Sequence, residues 1–106
     1  MPAIAVGPDG TVDVSWWDRR TDPNNHLFDR FYTYSVDGGV RFAPNLRVSD
    51  VSSDEAYSHH QNGMIFLGDY LDMDSLAGRS YLVWVDTRHQ KADVFVGIVE
   101  RPAANP

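Results

Sequence analysis

The feature that most restricts this chain is that it repeats itself. The segment Gly78-Arg79-Ser80-Tyr81-Leu82-Val83-Trp84-Val85-Asp86-Thr87-Arg88 lies over Gly10-Thr11-Val12-Asp13-Val14-Ser15-Trp16-Trp17-Asp18-Arg19-Arg20 at a constant offset of 68 residues. Gly10/Gly78, Trp16/Trp84, Asp18/Asp86 and Arg20/Arg88 coincide. A loop shorter by four residues in the second copy then brings Asp93-Val94-Phe95 over Asp29-Arg30-Phe31 at an offset of 64. Repetition on this scale marks folds built by stacking one supersecondary unit on the next, because one unit alone cannot bury its apolar face.

The unit itself reads as antiparallel β-structure. Residues 2–6 form a short apolar run, stopped by the turn signal Gly7-Pro8-Asp9-Gly10. Residues 11–17 alternate, with Val12, Val14 and Trp16 on one side and Asp13, Ser15 and Trp17 on the other, as expected of a half-buried strand. A polar loop from Asp18 to Asn25 leads into a third strand over 27–34, and a fourth is expected over 46–49. Four such strands in sequence make a meander. The polar stretch 51–63 reads as a connection, and 64–100 as a second unit of three strands. The tail 101–106 cannot add a fourth, since its prolines and small residues offer neither ladder donors nor side chains. The expected fold class is therefore all-β, two antiparallel meander units, at residues 1–50 and 64–100.

The turn that closes the first unit is Ser35-Val36-Asp37-Gly38-Gly39-Val40-Arg41-Phe42. The glycines accept positive φ, the Ser35 hydroxyl and Asp37 carboxylate can bind turn N–H groups, and Phe42 is expected to re-enter an apolar layer. This Ser-x-Asp-x-Gly-x-x-aromatic pattern resembles the Asp-box, or bacterial neuraminidase repeat, of sialidase-like β-propellers, with Phe42 where Trp is commoner. Gly68-Asp69-Tyr70 followed by Trp-x-Asp-x-Arg at 84–88 is similar to secreted bacterial members of that superfamily. Together the likeness spans Pro2 to Val99.

The resemblance implies two blades of a β-propeller, the second lacking its fourth strand, from the C-terminal end of a longer secreted or periplasmic protein, since closing a propeller takes about four to eight blades. It also implies a glycan-acting parent, an exo-α-sialidase or related glycoside hydrolase, in which this segment is mainly scaffold and by itself inactive. The alternative is a non-catalytic carbohydrate- or protein-binding propeller assembled from several copies. Expected partners are the rest of such a propeller, or copies of the chain, and a glycan.

Sialidases hold the substrate carboxylate with an arginine triad on the propeller axis, because guanidinium pairs bidentately with carboxylate. Arg20, Arg88, Asp69 and Tyr70 are the axis-facing candidates here, none assignable to a triad position. The Arg-Ile-Pro motif of sialidases is missing, and Glu55 and Glu100 are the only glutamates. Recurrence of Trp16/Asp18 and Trp84/Asp86 with their arginines favours a structural ion pair fixing the loop after each second strand. Tyr57 and His59 are candidate glycan contacts, and Trp17, Tyr32 and Tyr34 candidate stacking rings. Asp69, Asp72 and Asp74 could hold calcium, although a helix-loop-helix calcium loop is excluded by Ala77 and Val83 at the positions needing Gly and an acid; otherwise they form a solvated loop. No cofactor or metal is assigned. His59 and His60, adjacent on an extended chain, would point to opposite sides. The chain has no cysteine and a formal charge of −6, which disfavours nucleic acid or an anionic membrane surface as partner. No apolar run is long enough to span a membrane.

Overall fold

A computed structural model of the chain describes residues 2–54, 59–61, 64–66 and 72–102. They form an all-β structure without helix. The first sheet has four strands, β1 (Ala3–Val6), β2 (Val12–Asp18), β3 (Asp29–Ser35) and β4 (Leu46–Arg47), each paired antiparallel with its chain neighbour. β5 (His59–Gln61) and β6 (Met64–Phe66) make a two-stranded hairpin. The second sheet is the three-stranded meander β7 (Asp72–Leu76), β8 (Arg79–Asp86) and β9 (Asp93–Glu100). Among the described residues no closed barrel forms.

The repeat is also a repeat of register. Trp16 lies opposite Phe31 and Asp18 opposite Asp29 in the first sheet; Trp84 lies opposite Phe95 and Asp86 opposite Asp93 in the second. The two sheets pack face to face, with β1 beside β7. Tyr32, Met73, Leu82, Trp84 and Val99 are buried between them, with Ala3, Ala5, Trp17, Tyr34, Val48 and Phe95 packed around. Gly97 makes this approach close: a Cβ there would lie 2.7 Å from both the Trp84 ring and Val48 Cγ1, nearer than side-chain atoms can come.

The side of β2 turned into this layer is the polar one. Asp13 and Ser15 are fully buried, while Val12 and Val14 lie half-covered on the outside. A buried carboxylate needs cations or donors around it. Asp13 receives the Tyr32 hydroxyl, and the Arg101 guanidinium, arriving from beyond β9, binds both its oxygens through Nε and Nη2 at 3.2 and 3.3 Å. Arg101 Nη2 also donates to Ser75 Oγ and the Leu76 carbonyl, each at 2.8 Å. Burial, and then the adjacent Asp13, push the Tyr32 phenol above its ordinary pKa. Arg101 was expected in a featureless tail and is instead buried between the sheets.

Four further expectations are corrected. The connection expected through Gly63 contains β5, which pairs with β6. Asp72 and Asp74 stand on a strand, not in a loop, where Met73 and Ser75 alternate inward and Asp74 and Leu76 outward. β4 ends at Arg47, because the Ser49 hydroxyl, not a ladder carbonyl, takes the Arg30 N–H at 2.9 Å. Phe42 is exposed: β4 starts only at Leu46, so the ring lies beside Gly39 within the turn and enters no core. The remaining turn chemistry follows the sequence reading, with Gly38 and Gly39 at φ +74° and +90°, the Gly39 N–H on Ser35 Oγ at 2.9 Å and the Arg41 N–H on Asp37 Oδ1 at 2.9 Å.

Removing Arg101 would leave Asp13 buried without its cation. Arg101→Ala is expected to lower unfolding free energy by about 3–5 kcal/mol in a urea titration, and Asp13→Val with Arg101→Met to recover much of that loss, since an apolar pair of similar volume replaces a buried ion pair at little cost.

Candidate functional site

At the end of β2 and again at the end of β8 the chain builds the same small device. In the first sheet the Trp16 indole N–H donates to Asp18 Oδ2 at 3.0 Å, the Arg20 backbone N–H to Asp18 Oδ1 at 2.7 Å, and the Arg20 guanidinium to Oδ2 at 2.7 Å. Its guanidinium carbon lies 4.5 Å from the Phe31 ring centre. In the second sheet Trp84 donates to Asp86 Oδ2 at 3.1 Å, Arg88 binds both oxygens at 3.0 Å, and the guanidinium lies 4.1 Å from the Phe95 ring centre. Arg88 additionally pairs with Asp50 at 2.8 Å, which ties the second sheet to the segment leaving the first.

These contacts set the ionisation of both carboxyls. Hydrogen bonding from Arg20 holds Asp18 far below the ordinary carboxyl range. Burial by itself would raise Asp86, but Arg88 and the Trp84 indole outweigh it and the net shift is downward. Asp29, also fully buried, behaves alike: burial opposes ionisation, and the hydroxyls of Thr21, Ser52 and Ser49 with Arg47 more than offset it. Arg30 is buried against Trp17, with its guanidinium carbon 5.1 Å from the ring, and loss of hydration lowers it to about 10.

The loop held by the first device borders an open cleft of about 630 Å³ lined by Trp17, Asp18, Arg19, Arg20, Asp22, Asn25 and Phe28. Trp17 meets Phe28 edge to face at 4.8 Å, making an aromatic wall. Asp22 organises the loop by accepting backbone N–H groups from Asn24, His26 and Leu27 at 2.9, 3.0 and 2.7 Å, and Asn25 adopts a left-handed φ of 54°. The Leu27 N–H, first among these, draws the Asp22 pKa down. The cleft thus offers a ring face with a charged rim. The two carboxyls of its lining, Asp18 and Asp22, are both held below the ordinary range and stay ionised near neutral pH. Sequence reasoning singled out Trp17 but missed Phe28, Arg19 and Asp22 as its companions; the Asp22-Pro23-Asn24-Asn25 turn signal was the available clue.

Of the axis-facing candidates, Arg20 and Arg88 sit in separate sheets, each bound to its own aspartate, and the structure does not bring them together. Asp69, Tyr70 and Tyr57 lie outside the described residues, and of His59 only the backbone position, opposite Phe66, is described. Tyr32 is core, and Tyr34 stacks 6.2 Å from it. No group of three or more potential metal ligands occurs among the described residues. Comparison with family models, curated proteins and solved structures gives no match.

The depressed carboxyls make stability depend on acid. A group whose pKa is lowered by folding stabilises the fold above its unfolded pKa, about 3.9 for Asp, and that contribution is lost as pH falls through the folded value. The thermal midpoint is expected to stay nearly level from neutral pH to about 5 and to drop steeply below about 4. Asp86→Asn should cost about 2 kcal/mol at pH 7 and flatten the acid limb. Melts followed by circular dichroism across this range measure both.

Proposed function

We propose that this chain is a two-blade section of a sialidase-like β-propeller and that it serves a glycan-acting protein, an exo-α-sialidase or related glycoside hydrolase, as scaffold. The observation that carries the reading is the duplicated Trp–Asp–Arg–aromatic device, set at the same register in two meander sheets stacked face to face. The Asp-box corner after β3 is in keeping with it, since that turn closes the outer edge of such a blade. A scaffold role fits the engagement of Arg20 and Arg88 by their own aspartates, which leaves neither in position to clamp a substrate carboxylate bidentately. The sugar class and the secreted or periplasmic setting come from the resemblance alone.

The Trp17 cleft favours a second reading, a non-catalytic carbohydrate-binding face, because an aromatic wall with a polar rim is the chemistry that stacks on a sugar ring. Incubation of the purified chain with a fluorogenic α-sialoside is expected to give no turnover above buffer, and measurable turnover would overturn the scaffold assignment. Titration with sialyllactose distinguishes the two readings: an unmoved Trp17 indole N–H resonance agrees with scaffold, and a saturable shift moves the assignment to the binding face.

A further inference from the structure

The two sheets are not related by a two-fold axis. In the first, Asp13, Ser15 and Trp17 of β2 face the partner sheet; at the repeat offset of 68 these correspond to Tyr81, Val83 and Val85, which lie on the outside of the second sheet. The inward residues of β8, Ser80, Leu82 and Trp84, correspond in turn to Val12, Val14 and Trp16, on the outside of the first. The stack is head to tail. Its interface joins one kind of face on the first sheet to the other kind on the second, and each kind recurs, uncovered, at the opposite end.

Both ends are apolar. On the outer face of the second sheet Val94, Val96 and Ile98 are 69, 59 and 58% exposed, and on the outer face of the first Ile4 and Val6 are 68 and 67% exposed. A row of valine and isoleucine in water on both sides of a small protein marks contact surface. We propose that the occupant is a second copy of this chain, its first sheet docked on the second sheet of its neighbour, head to tail, in continuation of the internal interface. The inference rests on the two-blade reading above. Heterologous contacts of this kind form rings when the rotation closes, and at about four to eight blades a ring two to four copies are needed.

The repeat also fixes the register of the contact. Inside one chain the Tyr32 hydroxyl lies 3.2 Å from Ser80 Oγ. The offsets of 64 and 68 carry Tyr32 to Val96 and Ser80 to Val12, so Val96 of one copy should face Val12 of the next. Because the chain has no cysteine, only introduced thiols can be linked.

Val12→Cys and Val96→Cys proteins, mixed and treated with a short bismaleimide, should yield a covalent dimer, and each alone should not. Light scattering of the unaltered chain should give a discrete mass of two to four copies, and Val96→Glu, at an exposed position, should convert it to a monomer with its cooperative melt retained. A monomer at about 100 µM, where even a micromolar interface is well populated, would overturn the proposal. Linking of Val96→Cys to itself as readily as to Val12→Cys would also overturn it, since that is a two-fold contact. A monomer that melts cooperatively would leave the two-blade reading standing, whereas a chain without a cooperative melt would sink both.

Discussion

A carboxylate taken wholly out of water must find its charge and its hydrogen bonds inside the protein, and Asp13 finds them in Arg101, which is 88 residues away in sequence. Much of the architecture follows from that requirement. Arg101 can reach Asp13 only if β9 has run its full length beside β8 and if the second sheet lies flat on the first. Ser75, Ser80 and the Leu76 carbonyl then complete the donor and acceptor count around the guanidinium, and Tyr32 closes the remaining side of the carboxylate. An apolar interface alone would tolerate sliding of one sheet over the other. A buried pair with directional partners on four strands admits one register.

Beside this non-local contact stand two local ones. The Trp–Asp–Arg devices join residues two apart along the chain, and each reaches the neighbouring strand by an arginine lying over an aromatic ring. They hold the loop after each second strand without uniting the sheets, apart from the Arg88–Asp50 bridge. A strap from Ser52 to Asp54 adds to the union: Ser53 exchanges backbone hydrogen bonds with Phe28 and takes the Thr87 N–H on its hydroxyl at 3.1 Å, and the Thr87 hydroxyl in turn accepts the Asp54 N–H at 2.7 Å. Repeated, local interactions shape each sheet, and unrepeated, distant ones set how the sheets meet.

That division explains what could be read from the chain. The strands β1, β2, β3 and β9, the glycine turn after β3 and the pairing of Asp18 with Arg20 and Asp86 with Arg88 all depend on neighbours in sequence, so pattern and spacing reveal them. The inward side of β2 could not be read, because hydropathy points Val12 and Val14 to the core while the distant Arg101 makes Asp13 the buried side. β7 was hidden by its acids: with Met73 and Leu76 on opposite sides, the alternation has one apolar residue to a face. Phe42 followed the aromatic position of its motif, but its place in or out of a core depends on where the next strand starts. The cleft beside Trp17 forms from a loop whose shape Asp22 sets through three backbone N–H groups, a geometry that spacing alone does not fix.

With the Asp13–Arg101 pair between them, both sheets form one cooperative structure, each incomplete without the face of the other. Native-state hydrogen exchange tests this most directly, because it reports the opening free energy strand by strand. The slowest amides of β2 and β3 and those of β8 and β9 are expected to open with one common free energy, equal to that of global unfolding. Exchange from β8 and β9 through an opening clearly cheaper than that of β2 and β3 would show two sheets that fold separately, and would contradict the central place given to the Asp13–Arg101 pair.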